Sequence, residues 1–237
     1  VLKYLIRDVN KNKRKRENDI IMNENIFNWK TVLNQSSKFQ NTKPFPYGYI
    51  KNVLNEELYK KLVETFPKED EKWHRVKDWS RTASKRYFSN EQKNAHVIKG
   101  KNDSLSKEWN TFYEYLFSDD CIKNISEYIG IKLSGFKHFA FINNHKGDFN
   151  MPHYHFEDSQ KGENSYKVTF LIYFSKGWSE GNGGTYVSEN DDENSIIFEP
   201  QNLDNSMMGF LETPISWHGS RVITKEQIRH SIQMTFF

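Results

Sequence analysis

Cysteine is almost missing from this chain, which has a single one, Cys121, in 237 residues. One thiol excludes an internal disulfide and any zinc site built from cysteines, and it fits the reducing cytoplasm, where we expect the protein to act. Because Cys121 lies near the start of a predicted helix, we interpret it as a small buried hydrophobe rather than a reactive group.

Long hydrophobic runs and an excess of one charge are also missing. No apolar run approaches the roughly 20 residues that span a bilayer, and the amino-terminal region lacks the apolar core of a signal peptide. The 34 basic and 31 acidic residues give a formal charge of only +3. We therefore expect neither a membrane nor a nucleic-acid partner.

Aromatic residues are plentiful, at 15% of the chain, whereas hydrophobic residues as a whole reach only 36%. The core is therefore predicted to consist largely of Phe, Tyr and Trp. The length fits one domain, for which we place the boundaries as follows. Residues 1–43, with the basic run 11–16, form an amino-terminal tail or linker, and residues 44–237 form the domain, helical over 44–130 and β over 131–237.

Two kinds of pattern define these halves. In the first, an entry strand at 44–50 precedes a helix capped by Asn55 and stopped by Pro67, a helix capped by Ser104, and a helix over 120–128 that ends at Gly130. The second half alternates short apolar segments with turn residues and predicts a mostly β fold with amino-terminal helices (α+β), a sandwich or jelly roll. Its strands are expected at 134–144, 150–157, 166–174, 184–188, 195–199, 206–212, 215–219 and 228–237.

Histidines concentrate in the segment 147–158. If this segment runs as a strand, His153, His155 and Glu157 share one face, because side chains two apart point the same way. Imidazole nitrogen with carboxylate oxygen suits a first-row transition metal. A third ligand is best supplied by His218, because in a jelly roll a late strand can lie beside an early one.

The last predicted strand carries Arg229 and Ser231, which share a face. A guanidinium fork with a hydroxyl beside it can hold a carboxylate. The sequence thus predicts a metal site together with an anchor for a carboxylate.

These residues resemble the iron(II) and 2-oxoglutarate-dependent oxygenases, in particular their prolyl-hydroxylase-like members. The residues that carry the resemblance are His153-Tyr154-His155, His218, Arg229-x-Ser231, Gly183-Gly184-Thr185 after the apolar strand 169–174, the opening Pro44-Phe45-Pro46, and Phe66-Pro67 at the end of a helix.

The resemblance implies a double-stranded β-helix that uses Fe(II), 2-oxoglutarate as co-substrate and O2. It makes His218 the distal iron ligand and places 2-oxoglutarate on Arg229 and Ser231, with help from Asn143 or Tyr173. The implied reaction hydroxylates a substrate and converts 2-oxoglutarate to succinate.

The first pair of ligands stays open between two frames. His153 with His155 resembles a His-x-His subgroup of these enzymes, and we favour this frame; His155 with Glu157 would supply the carboxylate that the family usually has. Two other functions also stay open: a three-histidine cupin-type dioxygenase or isomerase without 2-oxoglutarate, and a non-catalytic jelly-roll carbohydrate-binding module.

The substrate is expected to be a small molecule, a glycan or a peptide. We expect it to be contacted by the loop 68–103 and by the insertion 159–166, since such folds vary specificity in the loops at the barrel mouth. Nothing in the sequence indicates an oligomeric state.

Overall fold

A computed structural model describes residues 26–92, 94–156, 165–178 and 183–237. Its α-helices are α1 Trp29–Leu33, α2 Ser36–Asn41, α3 Glu56–Glu64, α4 Lys107–Tyr115 and α5 Asp119–Ile129. Its strands are β1 Tyr47–Lys51, β2 His74–Lys77, β3 Thr82–Arg86, β4 Phe136–Asn144, β5 Asn150–His153, β6 Val168–Phe174, β7 Tyr186–Ser188, β8 Ile196–Phe198, β9 Asp204–Leu211, β10 His218–Ser220 and β11 Arg229–Phe236.

The strands form two antiparallel sheets. The larger sheet has the order β1-β9-β6-β11-β4-β3-β2, and the smaller one has the order β5-β10-β7-β8. The last eight strands are thus divided between the two sheets, with β4, β6, β9 and β11 in one and β5, β7, β8 and β10 in the other. This is a double-stranded β-helix, and it confirms the predicted fold class. All eight predicted strands are present, although the one expected at 150–157 ends at His153.

The helices begin and end where side chains satisfy their free backbone groups. The Asn55 side chain accepts hydrogen bonds from two amides of α3, and Gly130 ends α5 with a φ of +72°. The predicted cap of α4 is wrong by two residues, because Ser106 caps it, whereas Ser104 binds Asn102 and Arg86.

The helices cover one face of the larger sheet, and the core between them is aromatic, as predicted. Trp109 of α4 contacts Phe141 of β4, with ring centroids 4.8 Å apart, and Phe174 of β6, at 5.3 Å. Cys121 is buried in α5, where burial raises the pKa of its thiol well above the ordinary value. It is therefore the inert hydrophobe that the sequence predicted.

The folded part of the chain begins before the boundary predicted at residue 43. Phe27, Val32 and Phe39 are buried, and helices α1 and α2 pack them against α5 and the sheet. The basic run 11–16 lies outside the described residues. The region predicted to be helical, 44–130, also contains three strands that extend the larger sheet at its two edges. No helix among the described residues has the length and apolarity to cross a membrane.

Candidate active site

Three histidines converge at the paired strands β5 and β10 of the smaller sheet. His153 ends β5, His155 follows two residues later, and His218 begins β10, directly opposite His153 in the antiparallel register. One nitrogen atom of each residue lies within 4.8 Å of those of the other two. The ring centroids are 4.3 to 5.1 Å apart. Since metal–imidazole bonds are about 2.1 Å long, small side-chain rotations would bring all three onto one ion.

Backbone carbonyls orient two of these rings. His153 Nδ1 lies 2.8 Å from the Met151 carbonyl oxygen, and His218 Nδ1 lies 2.8 Å from that of Ser216. A carbonyl only accepts, so Nδ1 carries the proton and Nε2 keeps the lone pair that a metal needs. Burial lowers the pKa of His153 and holds that of His218 well below its ordinary value. Both rings are therefore neutral at neutral pH, as metal binding requires.

A rigid turn sets the position of β5. Gly147 has a φ of +88°, a conformation that favours glycine, and the side chain of Asp148 behind it is only 1% exposed. Asp148 accepts a bidentate pair of hydrogen bonds from Arg75 of β2 and another from the His145 amide. Burial alone raises the pKa of Asp148, but these donors outweigh it and the net shift is downward. An ionised Asp148 therefore ties the start of β5 to the β2–β3 hairpin.

Arg229 is 3% exposed, yet no carboxylate of the described residues lies within ion-pair distance of it. Its NH1 and NH2 groups donate to neutral acceptors, namely the Gly183 carbonyl at 2.8 Å, Ser220 Oγ at 2.9 Å and Asn144 Oδ1 at 2.8 Å. Arg229 Nε and Ser231 Oγ have no partner in the described structure. A buried cation without a counter-ion is costly, so these donors fit a carboxylate ligand.

The Gly183-Gly184-Thr185 turn supplies one of these acceptors. A Cβ atom on Gly183 would collide with the Pro200 carbonyl oxygen, so only glycine allows the turn to lie this close to the chain at Pro200. The turn aims the Gly183 carbonyl at Arg229, and the Thr185 amide donates to Tyr173 Oη at 2.8 Å.

The histidines and the Arg229–Ser231 pair line one cavity inside the barrel, with about 630 Å³ of empty space including its open mouth. The β2–β3 hairpin forms part of its wall through the segment 81–85. The described residues that line it include no Asp or Glu, whereas three are permanent or near-permanent cations: Arg81, Lys85 and Arg229.

Not every predicted site residue lies in this cavity. Asn143 faces the helices, where it hydrogen-bonds Glu69 and His230, so it is Asn144, the cross-strand partner of Arg229, that contacts the guanidinium. The alternative ligand Glu157 lies outside the described residues, as does most of the insertion 159–166.

Three further residues, Asn144, Ser220 and Lys85, line the cavity but were not predicted from the sequence. Strand parity could have found Asn144, because pairing β11 with β4 places it opposite Arg229. The segment 68–103 does reach the cavity, as expected of a substrate-facing loop, but it does so as a strand hairpin.

No family model and no curated protein matches the chain. Among solved structures, it is similar to a prolyl-4-hydroxylase of Pseudomonas putida, with 15% identity, a TM-score of 0.59, and coverage of 86% of this chain and 96% of the other. It is also similar to a Trichoplax adhaerens prolyl hydroxylase in complex with a hypoxia inducible factor oxygen degradation domain peptide fragment, with 15% identity, a TM-score of 0.58, and coverage of 94% and 92%.

A third similar structure is a Burkholderia pseudomallei oxidoreductase of the 2OG-Fe(II) oxygenase family, with 12% identity, a TM-score of 0.55, and coverage of 86% and 88%. At such low identity these matches establish architecture rather than activity. The chain has the double-stranded β-helix of the prolyl-hydroxylase-like 2-oxoglutarate and iron(II)-dependent oxygenases.

Proposed function

We propose that the protein is an iron(II) and 2-oxoglutarate-dependent oxygenase that hydroxylates its substrate. One observation carries the proposal: a single cavity contains three converging imidazoles and a buried guanidinium that lacks an acidic partner in the described structure. The first set suits a transition metal, and the second suits a dicarboxylate bound beside it.

The residues divide into two groups by role. His153, His155 and His218 would hold iron(II), and Arg229 with Ser231 would hold the distal carboxylate of 2-oxoglutarate. When bound, the iron would supply the oxidative decarboxylation of 2-oxoglutarate by O2: one oxygen atom would enter succinate as CO2 leaves, and the other would enter a substrate C–H bond as hydroxyl.

The protein contributes geometry and exclusion of water. The carbonyls of Met151 and Ser216 fix the tautomers of two ligands, and Phe210 packs on His218 with ring centroids 4.2 Å apart. Arg229 is held by three fixed acceptors before any ligand arrives, so little reorganisation is needed when a carboxylate binds.

Anaerobic addition of iron(II) and then 2-oxoglutarate tests the proposal. We expect a visible metal-to-ligand charge-transfer band that needs both additions and is absent in the His218→Ala variant. Folded, iron-loaded protein without this band would refute the proposal. Release of succinate under air, measured against a panel of small molecules, glycans and peptides, would then identify the substrate.

A three-histidine cupin-type dioxygenase or isomerase is the second candidate. It is favoured by the ligand set, which contains no carboxylate among the described residues. Such an enzyme does not use 2-oxoglutarate, so Arg229 and Ser231 would have no co-substrate carboxylate to bind beside the metal. Iron-dependent turnover that does not consume 2-oxoglutarate would establish this alternative.

A further inference from the structure

We infer that the substrate carries an oxyanion, a carboxylate, phosphate or sulfate group, and that Lys85 binds it from the wall of the cavity beside the histidines. The inference rests on the proposed function and narrows its substrate class.

The position of Lys85 is the first support. On β3, Ala83 and Lys85 both line the cavity, because alternate residues of a strand share a face. The cross-strand neighbour of Lys85 is Ile142 of β4, which also lines the cavity. The ammonium group therefore belongs to the same chamber as the histidines and Arg229.

The second support is that Lys85 lacks a counter-ion. It is partly buried, and no acidic side chain of the described residues lies within ion-pair distance of it. Its neighbour Arg81 is different, since Arg81 Nε pairs with Asp78 at 3.3 Å. A partly buried ammonium without a partner is costly unless a ligand supplies the negative charge.

Lys85 and the proposed metal ligand His153 line the same cavity, and Arg81, just before β3, forms a β-bridge with Asn150 of β5. Burial, and then the charge of Arg81, lower the pKa of Lys85 to about 8, so it stays mostly protonated at neutral pH. An oxyanion on Lys85 would thus hold a substrate near the reacting centre.

The charges of the occupied site favour the same conclusion. The three proposed imidazole ligands are neutral. The two negative charges of 2-oxoglutarate would therefore balance the two positive charges of iron(II), and the positive charges of Arg229 and Lys85 would remain in excess. Arg229 would be satisfied by contact with the co-substrate. Lys85 would remain unpaired beside a neutral substrate, such as an uncharged peptide side chain, and would be paired by an acidic one.

Calorimetry on protein loaded with redox-inert zinc(II) and saturated with 2-oxoglutarate tests the inference, because the co-substrate then occupies Arg229. The titrants are sodium acetate, methyl phosphate and sodium sulfate at constant ionic strength, and they separate the three oxyanion sources. The variants are Lys85→Met, Lys85→Arg and, as a matched control on the same hairpin, Lys77→Met, since Lys77 is exposed and does not line the cavity.

We expect the wild type and Lys77→Met to bind at least one titrant equally well. Lys85→Met should bind it about tenfold more weakly or worse, and Lys85→Arg should retain most of the affinity. Thermal unfolding should show Lys85→Met to be at least as stable as the wild type.

Three results would refute either the oxyanion inference or the proposed function. Absence of oxyanion binding to the wild type, or equal binding to Lys85→Met, would refute the inference while leaving the proposed function intact. Failure of 2-oxoglutarate to bind in the first place would refute the proposed function itself.

Discussion

The two faces of the larger sheet are built for different tasks from the same strands. On β4, Phe139 and Phe141 point toward the helices and lie in an aromatic core, whereas Ile142 and Asn144 line the cavity. The helix side is apolar, with rings in contact with other rings. The cavity side holds cations, amides and two donors without partners. Stability is therefore concentrated on one face and ligand binding on the other.

This division implies that substitutions on the two faces have opposite signatures. A substitution in the cavity should cost binding and comparatively little stability, because the cost of burying polar and charged groups offsets the hydrogen bonds that these groups make before a ligand arrives. A residue on the helix side should cost stability and leave binding unchanged.

The largest effect is expected from His218→Ala. Loss of a buried ligand should lower iron(II) affinity about 100-fold or more, with the unfolding temperature nearly unchanged. Metal titration with a chromophoric competitor measures it, and His74→Ala, an exposed histidine outside the cluster, is the matched control. Full iron occupancy in His218→Ala would contradict the ligand assignment.

Arg229→Met should weaken 2-oxoglutarate binding by about 100-fold, since the distal carboxylate loses its charged partner. Its effect on the free energy of unfolding should stay within about 2 kcal/mol, because the removal of a buried charge without an ion pair offsets the loss of the three hydrogen bonds that Arg229 donates. Equilibrium dialysis with labelled 2-oxoglutarate and urea unfolding measure the two effects. Unchanged affinity for 2-oxoglutarate would show that the co-substrate binds elsewhere.

On the helix side, Phe141→Ala should lower the free energy of unfolding by about 3–5 kcal/mol through the cavity it leaves. Its neighbour Ile142→Ala, on the other face of the same strand, should cost less. Urea unfolding measures both changes. Iron(II) affinity should stay within about threefold in Phe141→Ala, and a large loss would show that the two faces are coupled.

Glu212 makes stability depend on pH. Burial raises its pKa from 4.5 to about 7, partly opposed by a hydrogen bond from Thr169, which lines the cavity. A carboxyl whose folded pKa is raised contributes most stability below its unfolded pKa and loses that contribution as pH rises through 7. Glu212→Gln should therefore match the wild type near pH 4 and be more stable by about 3 kcal/mol at pH 8. Urea unfolding at both pH values measures this difference. The same difference in the free energy of unfolding between variant and wild type at pH 4 and pH 8 would contradict the assignment.

The smallest effect is expected from Glu157→Ala. If His153, His155 and His218 are the ligands, iron(II) affinity and succinate release should survive the change. Their loss would instead identify His155 and Glu157 as the first pair and would give the metal a carboxylate ligand.

Short segments rich in aromatic or β-branched residues, separated by Gly, Pro, Asn and Asp, were sufficient to predict the barrel, although β10, with the sequence His-Gly-Ser, carries little signal of its own. The helices α1 and α2 were missed because they are short, at five and six residues, and so span too few turns for a helical period to be visible in the sequence. The strands β2 and β3 were missed because their residues show no simple period; the long-range pairing of β3 with β4, and that of β2 with β3, define them.

For the candidate site, residue types were sufficient to predict the metal ligands and the carboxylate anchor, but not which other residues line the cavity beside them. His218 and Arg229 were found because imidazole and guanidinium at strand positions carry a chemical signal. Lys85 was missed because one lysine among many has no such signal until the fold places it in a cavity whose described lining residues include no Asp or Glu. Asn143 was chosen over Asn144 because Phe139 to Ile142 are apolar on both faces of β4, so only the pairing with β11 shows which asparagine faces Arg229.

If His153, His155 and His218 hold iron as proposed, the pairing of His218 with His153 ties iron binding to the assembly of the smaller sheet. Strand β10 must insert between β5 and β7 before the two rings meet, and a register slip of one residue would turn an imidazole outward. Incompletely assembled chains would then lack a competent metal centre, and tight iron retention would report that the barrel has closed.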